Sequence, residues 1–277
     1  MSTEQQNDPL CEVNDYGVAT LTLNRIEKHN AFDDQLIADL TNQLKQLQQL
    51  PNVRILILRA NGKHFSAGAD LHWMKSMAQQ SHETNLSDAR ALAHLMRTLD
   101  TFPHPTIALV HGCAYGGALG LICCCDIAIA EDRSRFCLSE VKLGLLPATI
   151  APYVHRAIGN RHSRRYMLTA ETITAQTAKD IGLIHELVDA GTLDSALSPL
   201  IKHILKNSPA AITQTKLLCA KCYQQTIDDA LINHTSQLIA DIRVSKHGQE
   251  GLDAFFSQRP ASWVRTTGDD EDEHPTS

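Results

Sequence analysis

Two short runs of small residues are the parts of this sequence whose residue types could do chemistry. The first is "SAGAD", Ser66–Asp70, and the second is "AYGGA", Ala114–Ala118. Each run follows an apolar segment, and small side chains let a ligand approach the backbone N–H groups closely. A helix that begins directly after such a loop adds positive potential at its N-terminus. Together the runs could hold an oxyanion with one N–H from each loop, or they are two tight turns between elements.

The segments that flank these loops alternate between two hydrophobic periods. Residues 11–24 alternate apolar and polar on both sides of a polar turn, which predicts a β-hairpin. Residues 53–60 and 106–112 are apolar enough for strands buried on both faces. Apolar residues at helical spacing predict helices over residues 33–51, with the first residue as N-cap, and 86–99. Strands that alternate with helices indicate an α/β fold with largely parallel strands.

The hydrophobic pattern changes after Val188. Beyond it the sequence has only helical spacing, near residues 193–206, 210–225 and 227–245. The last residues are rich in acidic side chains, a composition typical of disordered segments. We therefore predict three parts, which are a core over residues 1–188, a helical region over 189–263 and a disordered acidic tail over 264–277.

The composition argues against several classes of partner. The 277 residues are 43% apolar and carry a formal charge of −6, so the overall balance does not attract nucleic acid. The basic cluster of Arg156, Arg161, Arg164 and Arg165 is more simply a solvated helix face or a subunit contact. The N-terminus lacks the basic start and apolar segment of a secretory signal, and no apolar run reaches the length of a membrane span. We expect a cytoplasmic protein with neither a membrane partner nor a nucleic-acid partner.

The eight cysteines do not have the pattern of a disulfide framework. Three of them are adjacent, at Cys123–Cys125, and neighbours on one helix point in different directions. We expect the cysteines to be small buried apolar residues in a reducing compartment. Cys219 and Cys222 have the spacing of half a zinc site, but no second pair follows, so no metal is expected.

Four motifs occur in order along the chain: "FSAGADL" (65–71), "HGCAYGGALG" (111–120), "SEVKLGLLP" (139–147) and "EGLDAFFSQRPASW" (250–263). With them the chain resembles the enoyl-CoA hydratase (crotonase) superfamily over nearly its whole length. The segments "GADLHWM" and "LSEVKLGLLPATIAPYV" are most similar to bacterial 3-methylglutaconyl-CoA hydratases and their relatives acting on isohexenylglutaconyl-CoA. The resemblance implies a crotonase-like spiral of ββα units followed by a C-terminal helical trimerisation region, assembled as a homotrimer or as a hexamer of two trimers.

The resemblance also implies roles for individual residues. The N–H groups of Ala67 and Gly117 would hold the thioester oxygen as charge builds on it, and Glu140 would deliver a proton to the α-carbon. A carboxyl in an apolar pocket has a raised pKa, which suits proton donation. The residues expected along the coenzyme A and substrate channel are Lys28, Asn30, Ala31, Ala69, Asp70, Leu71, Gly116, Gly120 and Phe256. Coenzyme A is part of the substrate, so no separate cofactor is implied.

One departure from the family pattern leaves the reaction open. Hydratases of this family generally use a further glutamate, and its place three residues past Gly117 is Gly120. Glu140 then acts alone, or the substrate's own distal carboxylate or a side chain from residues 148–155 orients the water. A third alternative is isomerisation of a 3-enoyl-CoA by a single base, and a fourth is an acyl-CoA binder without turnover. The similarity of residues 138–152 favours hydration, of 3-methylglutaconyl-CoA to 3-hydroxy-3-methylglutaryl-CoA in leucine, isovalerate or acyclic terpene catabolism.

A glutaconyl substrate carries a second carboxylate, which would meet a cation or hydrogen-bond donors. The side chains within reach in sequence are those of His72, Thr149, Tyr153, His155 and Arg156. Trp73 and Met74 follow the first loop, and they either line the acyl pocket or belong to the core of a helix.

Overall fold

The computed structural model describes residues 9–264. The chain falls into two compact units that divide after Leu197, nine residues beyond the predicted end of the core at residue 188. The division lies within a helix, α7 (Leu193–Leu205). The predicted acidic tail lies outside the described residues except for Val264.

Strands and helices alternate along the first unit. Its strands are β1 (Leu10–Val13), β2 (Val18–Leu23), β3 (Ile55–Ala60), β4 (Thr106–Val110), β5 (Cys113–Tyr115), β6 (Ile127–Glu131), β7 (Arg135–Cys137), β8 (Ile173–Thr174) and β9 (Glu186–Val188). Its helices before α7 are α1 (Asp34–Gln49), α2 (Leu71–Met77), α3 (His82–Asp100), α4 (Gly117–Cys124), α5 (Ala151–Thr169) and α6 (Ala175–Asp180). Two short 3₁₀ helices span Ile26–Lys28 and Glu140–Leu143.

The strands form two sheets. The larger sheet has the order β1-β2-β3-β4-β6-β9, and the smaller one has the order β5-β7-β8. Strands β1 and β2 pair antiparallel, which confirms the predicted hairpin, and the other neighbours in the larger sheet pair parallel. The first small-residue run comes after β3, and the second comes after β4 and begins within the short strand β5. Because β3 and β4 are neighbouring parallel strands, both runs lie at the same end of the sheet.

Helix α1 begins where the sequence predicts. The Asp33 carboxylate accepts the N–H of Leu36 at 2.9 Å, which satisfies one of the free donors of the first turn. The apolar stripe of α1 is buried at Leu36, Ile37, Leu40, Leu44 and Leu47. It packs against α3 within one core. Burial of each such side chain contributes roughly 1.5–3 kcal/mol, so this apolar stripe is a large part of what stabilises the helix pair.

Helix α4 is apolar on all sides because it is surrounded by the core. Every residue from Ala118 to Cys124 is buried. Burial raises the pKa of the Cys123 thiol to about 12, so that thiol stays protonated and behaves as a small apolar group. The prediction of buried cysteines is wrong for Cys11, Cys219 and Cys222, which are exposed. Cys11 lies on the edge strand β1, and the other two lie on the exposed side of a helix in the second unit.

The second unit is helical over its described residues. It contains α8 (Pro209–Cys222), α9 (Asp229–Val244) and α10 (Lys246–Phe256), which confirms the predicted change of pattern. Within residues 9–264, no helix is long and apolar enough to cross a membrane. The same residues contain no group of three or more His, Cys, Asp or Glu side chains placed to hold a metal ion.

Candidate active site

The two small-residue loops lie side by side. Ser66 N–H donates to the carbonyl of Cys113, and Tyr115 N–H donates to the carbonyl of Ser66, each at 3.1 Å. Gly68 has φ of +90°, and a Cβ there would lie 3.1 Å from the Tyr115 carbonyl oxygen. A glycine is therefore required at the closest approach of the loops. The tertiary structure brings together the two runs that the sequence singled out.

Asn30 is hydrogen-bonded to the first loop and to the segment before it. Its side chain is buried, accepts the N–H of Arg25 at 2.8 Å, and donates to the carbonyls of Asn61 and His64. Its own carbonyl accepts a hydrogen bond from the Ser66 hydroxyl at 2.7 Å. These bonds use the whole amide within the protein. Asn30 and the neighbouring Ala31, both expected along the substrate channel, do not line the cavity described below.

Asp70 fixes the start of α2. Its carboxylate accepts the N–H groups of His72 and Trp73 at 2.9 and 3.1 Å and pairs with Lys28 Nζ at 3.0 Å. Burial acts to raise the pKa of Asp70, but the hydrogen bonds from Trp73, Lys28 and His72 prevail and hold it below its ordinary value. Lys28, expected at the coenzyme A channel, thus has a partner within the protein.

The backbone donors of the first loop correct one predicted role. Ala67 N–H donates to the carbonyl of His29 at 2.9 Å, so it is not available to a ligand. Within residues 9–264, no acceptor faces the N–H of Ala69 or that of Gly117, and both residues line the same cavity. In an extended chain the N–H groups of residues two apart point the same way, but Gly68, between Ala67 and Ala69, has φ of +90° and interrupts that alternation. The sequence does not reveal which of the two N–H groups then faces the cavity. The pair of free donors is therefore Ala69 and Gly117, and the role assigned to Ala67 is wrong.

The cavity beside these donors has a volume of about 530 Å³. Most of its wall is apolar, from the α2 helix, the α3 helix and the segment that follows Glu140. The predicted site residues that line it are Ala69, Leu71, Gly117 and Glu140. Lys28, Asp70 and Gly116 lie outside its wall, although a Cβ on Gly116 would come within 3.3 Å of Glu140 Oε1. Phe256 belongs to the second unit, where its side chain is exposed.

Glu140 brings a partly buried carboxyl group to this cavity. It begins the second 3₁₀ helix, and its Oε2 atom is buried without a hydrogen-bond partner among the described residues. Burial raises the pKa of Glu140 above its ordinary value, as expected for a carboxyl in an apolar pocket. A carboxyl whose pKa lies closer to neutrality can both accept and return a proton, which is the requirement for general acid–base catalysis.

Gly120 is a packing residue. A Cβ at this position would lie 2.3 Å from Ile150 Cγ2 and 2.9 Å from Met96 Sδ. The space that a side chain at residue 120 needs is therefore filled by α3 and by the segment before α5. Gly120 does not line the cavity, so its predicted contact with substrate is wrong. The same packing explains why no carboxylate stands here.

We expect Gly120→Ala to destabilise the fold by roughly 1–3 kcal/mol, the usual effect of overpacking a core. Urea or thermal unfolding measures this change. Gly117→Ala is the matched control in the same helix, because the nearest atom to its Cβ would be Phe32 Cδ2 at 3.9 Å and alanine is favoured over glycine in helices. Equal stability of the two variants would contradict this account of Gly120.

The structure distinguishes among the five residues that could bind the distal carboxylate of a glutaconyl substrate. Thr149 lines the cavity, whereas His72, Tyr153, His155 and Arg156 do not. Arg156 pairs with Asp100, and its guanidinium stacks over the Tyr153 ring. In the same basic cluster, Arg165 pairs with Glu171 at 2.8 Å. Two of the four arginines are thus neutralised by carboxylates of the same chain.

Trp73 and Met74 line the cavity, and Trp73 also packs against the core, so the two positions that the sequence left open are both correct for Trp73. Three polar residues of the wall were missed, namely Lys75, Asn85 and Asp88. Burial, and then the nearby Asp34 carboxylate, raise the pKa of Asp88. The helical spacing of α2 and α3 shows which residues share a side of each helix. It does not show which side faces a cavity.

Comparison with known proteins finds relatives along nearly the whole chain. The sequence model of the family described as Enoyl-CoA hydratase/isomerase matches residues 14–266. The crystal structure of an enoyl-CoA hydratase from Shewanella pealeana superposes with a TM-score of 0.91 and 51% identity, over 94% of this chain and 97% of that one. The 2,3-dehydroadipyl-CoA hydratase of Escherichia coli is 30% identical over 87% of this chain and 93% of its own. The enoyl-CoA hydratase ACTT6 of Alternaria alternata is 34% identical over 74% and 67%.

The structural likeness also confirms the predicted fold class, a mixed α/β crotonase fold with a C-terminal helical region. A match over more than nine-tenths of the chain, together with two free N–H groups and a buried carboxyl on one cavity, identifies the family. The protein belongs to the enoyl-CoA hydratase/isomerase family of enzymes.

Proposed function

We propose that the protein hydrates a 2-enoyl-CoA thioester, with 3-methylglutaconyl-CoA as the specific substrate and 3-hydroxy-3-methylglutaryl-CoA as the product. The observation that carries this proposal is the meeting of the Ala69 and Gly117 N–H groups with the buried Glu140 carboxyl at one cavity. Hydration next to a thioester needs donors for the carbonyl oxygen and a group that moves a proton. The site offers both kinds of group.

The addition of water would proceed through these three groups. The two N–H groups hold the thioester oxygen, where negative charge develops, and each such donor is commonly worth roughly 3 kcal/mol in the transition state. Glu140 takes a proton from water as the water oxygen bonds to C3 and the electrons of the C2–C3 double bond move toward the thioester oxygen. The carboxyl then returns a proton to C2. The product has gained one water molecule, and Glu140 recovers its starting charge.

Glu140 acts as the single carboxyl in this proposal. The position of a second one, residue 120, is occupied by the packing of Ile150 and Met96. The two oxygens of Glu140, of which Oε2 is unpartnered, allow this one carboxyl to take a proton from water and to return a proton to C2 on the same face of the substrate. The glutaconyl group is supported by the resemblance of residues 138–152 and by the polar wall residues Thr149 and Lys75.

Isomerisation of a 3-enoyl-CoA is the second candidate. The packing around Gly120 favours it, because a single base that removes a proton from C2 and returns it to C4 is all that this reaction requires. The thioester oxygen would use the same two N–H groups. The homotrimer or hexamer and the cytoplasmic location implied by the resemblance stay predictions.

Absorbance of the conjugated enoyl thioester tests the two reactions. We expect purified protein to remove this absorbance with 3-methylglutaconyl-CoA much faster than with crotonyl-CoA. A rise in absorbance with 3-hexenoyl-CoA, and no loss with either conjugated substrate, would replace hydration by isomerisation. Saturable binding of all three without any absorbance change would contradict both reactions.

A further inference from the structure

The Trp73 indole N–H is a buried donor without an acceptor. Among the described residues, Trp73 Nε1 and Glu140 Oε2 are the two buried side-chain polar atoms that have no hydrogen-bond partner. Both residues line the same cavity. Folded proteins leave few such atoms, since a buried donor without a partner loses its hydrogen bonds to water and destabilises the protein. One of the two atoms belongs to the proposed acid–base group, so the other one calls for a partner of its own.

The indole is held in place by its helix. Trp73 lies in the first turn of α2, where the Asp70 carboxylate accepts its backbone N–H at 3.1 Å, and its ring packs against the core. Lys28 holds the same carboxylate at 3.0 Å. The packing of the ring against the core limits how far it can turn toward another acceptor. An indole N–H donates only, so its partner must be an acceptor such as an oxygen atom.

The other polar groups of the wall do not serve as that acceptor. Asn85 directs its amide nitrogen to the carbonyls of Met77, Gln80 and Ser81, and the Asp88 carboxyl has no hydrogen bond to the indole. In the proposed reaction, the thioester oxygen is held by Ala69 and Gly117, and the reacting carbons face Glu140. An oxygen on the rest of the acyl chain is then available to meet the indole, whereas the carbonyl oxygens of the coenzyme A arm are common to every acyl-CoA and would give no selectivity.

We propose that Trp73 Nε1–H donates a hydrogen bond to an oxygen on the acyl chain beyond the reacting carbons, so that the protein selects oxygen-bearing acyl-CoA thioesters over alkyl ones. This inference rests on the proposed function for its placement of the thioester. Carboxylate and uncharged oxygen share the required acceptor chemistry. Lys75 on the same wall adds positive charge that favours a carboxylate.

Binding of saturated thioesters tests the inference without relying on turnover. Calorimetry would compare Trp73→Phe with the unchanged protein for glutaryl-CoA, 5-hydroxypentanoyl-CoA and pentanoyl-CoA, which share a five-carbon acyl chain. We expect the substitution to weaken glutaryl-CoA about tenfold or more beyond its effect on pentanoyl-CoA, because the loss of ring volume is common to both ligands. A similar loss for 5-hydroxypentanoyl-CoA identifies any oxygen as the partner, and no such loss identifies a carboxylate.

Met77→Leu is the matched control, since Met77 lines the same cavity without a donor, and it should change all three affinities by one common factor. A common factor for Trp73→Phe as well would overturn the inference, as expected if the indole only bonds water. Failure of every enoyl-CoA to turn over would overturn the proposed function. If Trp73→Phe still weakened glutaryl-CoA more than pentanoyl-CoA, the hydrogen bond proposed for Trp73 would nevertheless be supported.

The indole signal itself gives a second measurement that needs no folded Trp73 variant. The chain has two tryptophans, so ¹⁵N-indole spectra contain two N–H signals, and Trp263→Phe assigns them. We expect the Trp73 signal to move downfield with glutaryl-CoA and to stay in place with pentanoyl-CoA. Equal movement with both thioesters would contradict a hydrogen bond to the acyl chain.

Discussion

Glu140→Gln will lower hydration by roughly 10²–10⁴-fold, the range that a single general acid–base group supplies. Glutamine matches the shape of the carboxyl but neither accepts nor returns a proton. Since Glu140 is the carboxyl beside the free N–H groups, no neighbouring group replaces it. Loss of enoyl absorbance, followed under single-turnover conditions, measures the effect.

Asp88→Asn is the matched control for this substitution. Asp88 is a carboxyl on the wall of the same cavity, and its pKa is likewise raised by burial. We expect its replacement to change the rate much less than Glu140→Gln, because it is not the carboxyl next to Gly116 and Gly117. Equal losses in the two variants would show that Glu140 has no special role.

The raised pKa of Glu140 gives the pH dependence a sign. Water activation needs the carboxylate, so kcat/KM should rise with pH through an apparent pKa above the ordinary 4.5, and Glu140→Gln should lack this limb. The folded protein binds this proton more tightly than the unfolded chain. Its contribution to stability is therefore greatest below the ordinary value and is lost as pH rises through the folded pKa. Near neutral pH, Glu140→Gln should unfold at a higher temperature than the unchanged protein.

Gly117→Pro will reduce turnover by at least about 10²–10³-fold, the effect of removing one oxyanion donor. Gly117 is the first residue of α4, where proline is well tolerated because the N–H has no acceptor within the helix. The preceding Gly116 has no Cβ to collide with the proline ring. The substitution thus removes the backbone donor while the helix is retained. The rate with saturating substrate measures the loss, and circular dichroism checks the fold.

Gly117→Ala separates the donor from the side chain. It keeps the N–H and adds only a methyl group at 3.9 Å from Phe32. We expect its activity to exceed that of Gly117→Pro by about tenfold or more. If both variants lost the same activity with unchanged stability, crowding of the cavity rather than the missing N–H would be the cause.

The local patterns of the sequence predict much of the fold. Period-two alternation gives the hairpin, continuous apolar runs give the parallel strands β3 and β4, and the Asp33 cap marks the start of α1. The four motifs give the family and the two loops. These features are local or depend on short spacings, so they are written directly in neighbouring residues.

The same patterns fail where the answer depends on distant contacts. The resemblance predicts Ala67 as the donor of the first loop, two residues before the free N–H of Ala69, because the bond from the Ala67 N–H to His29 joins segments that are far apart in the chain. The resemblance predicts a substrate contact for Gly120, whereas Ile150 and Met96 cover it. The composition predicts buried cysteines, but three of them are exposed, since composition does not reveal which face of an element meets the core.

The sequence by itself determined the fold class, the change to helices after the core, the two donor loops and the identity of the acidic residue, Glu140. Only the tertiary structure decided which N–H groups are free, why residue 120 is glycine, and that the Trp73 indole is a buried donor at the same cavity as Glu140. The physical reason is that hydrogen-bond partners and close packing are relations between residues far apart along the chain. Periodicity and motifs record only what each segment can do alone.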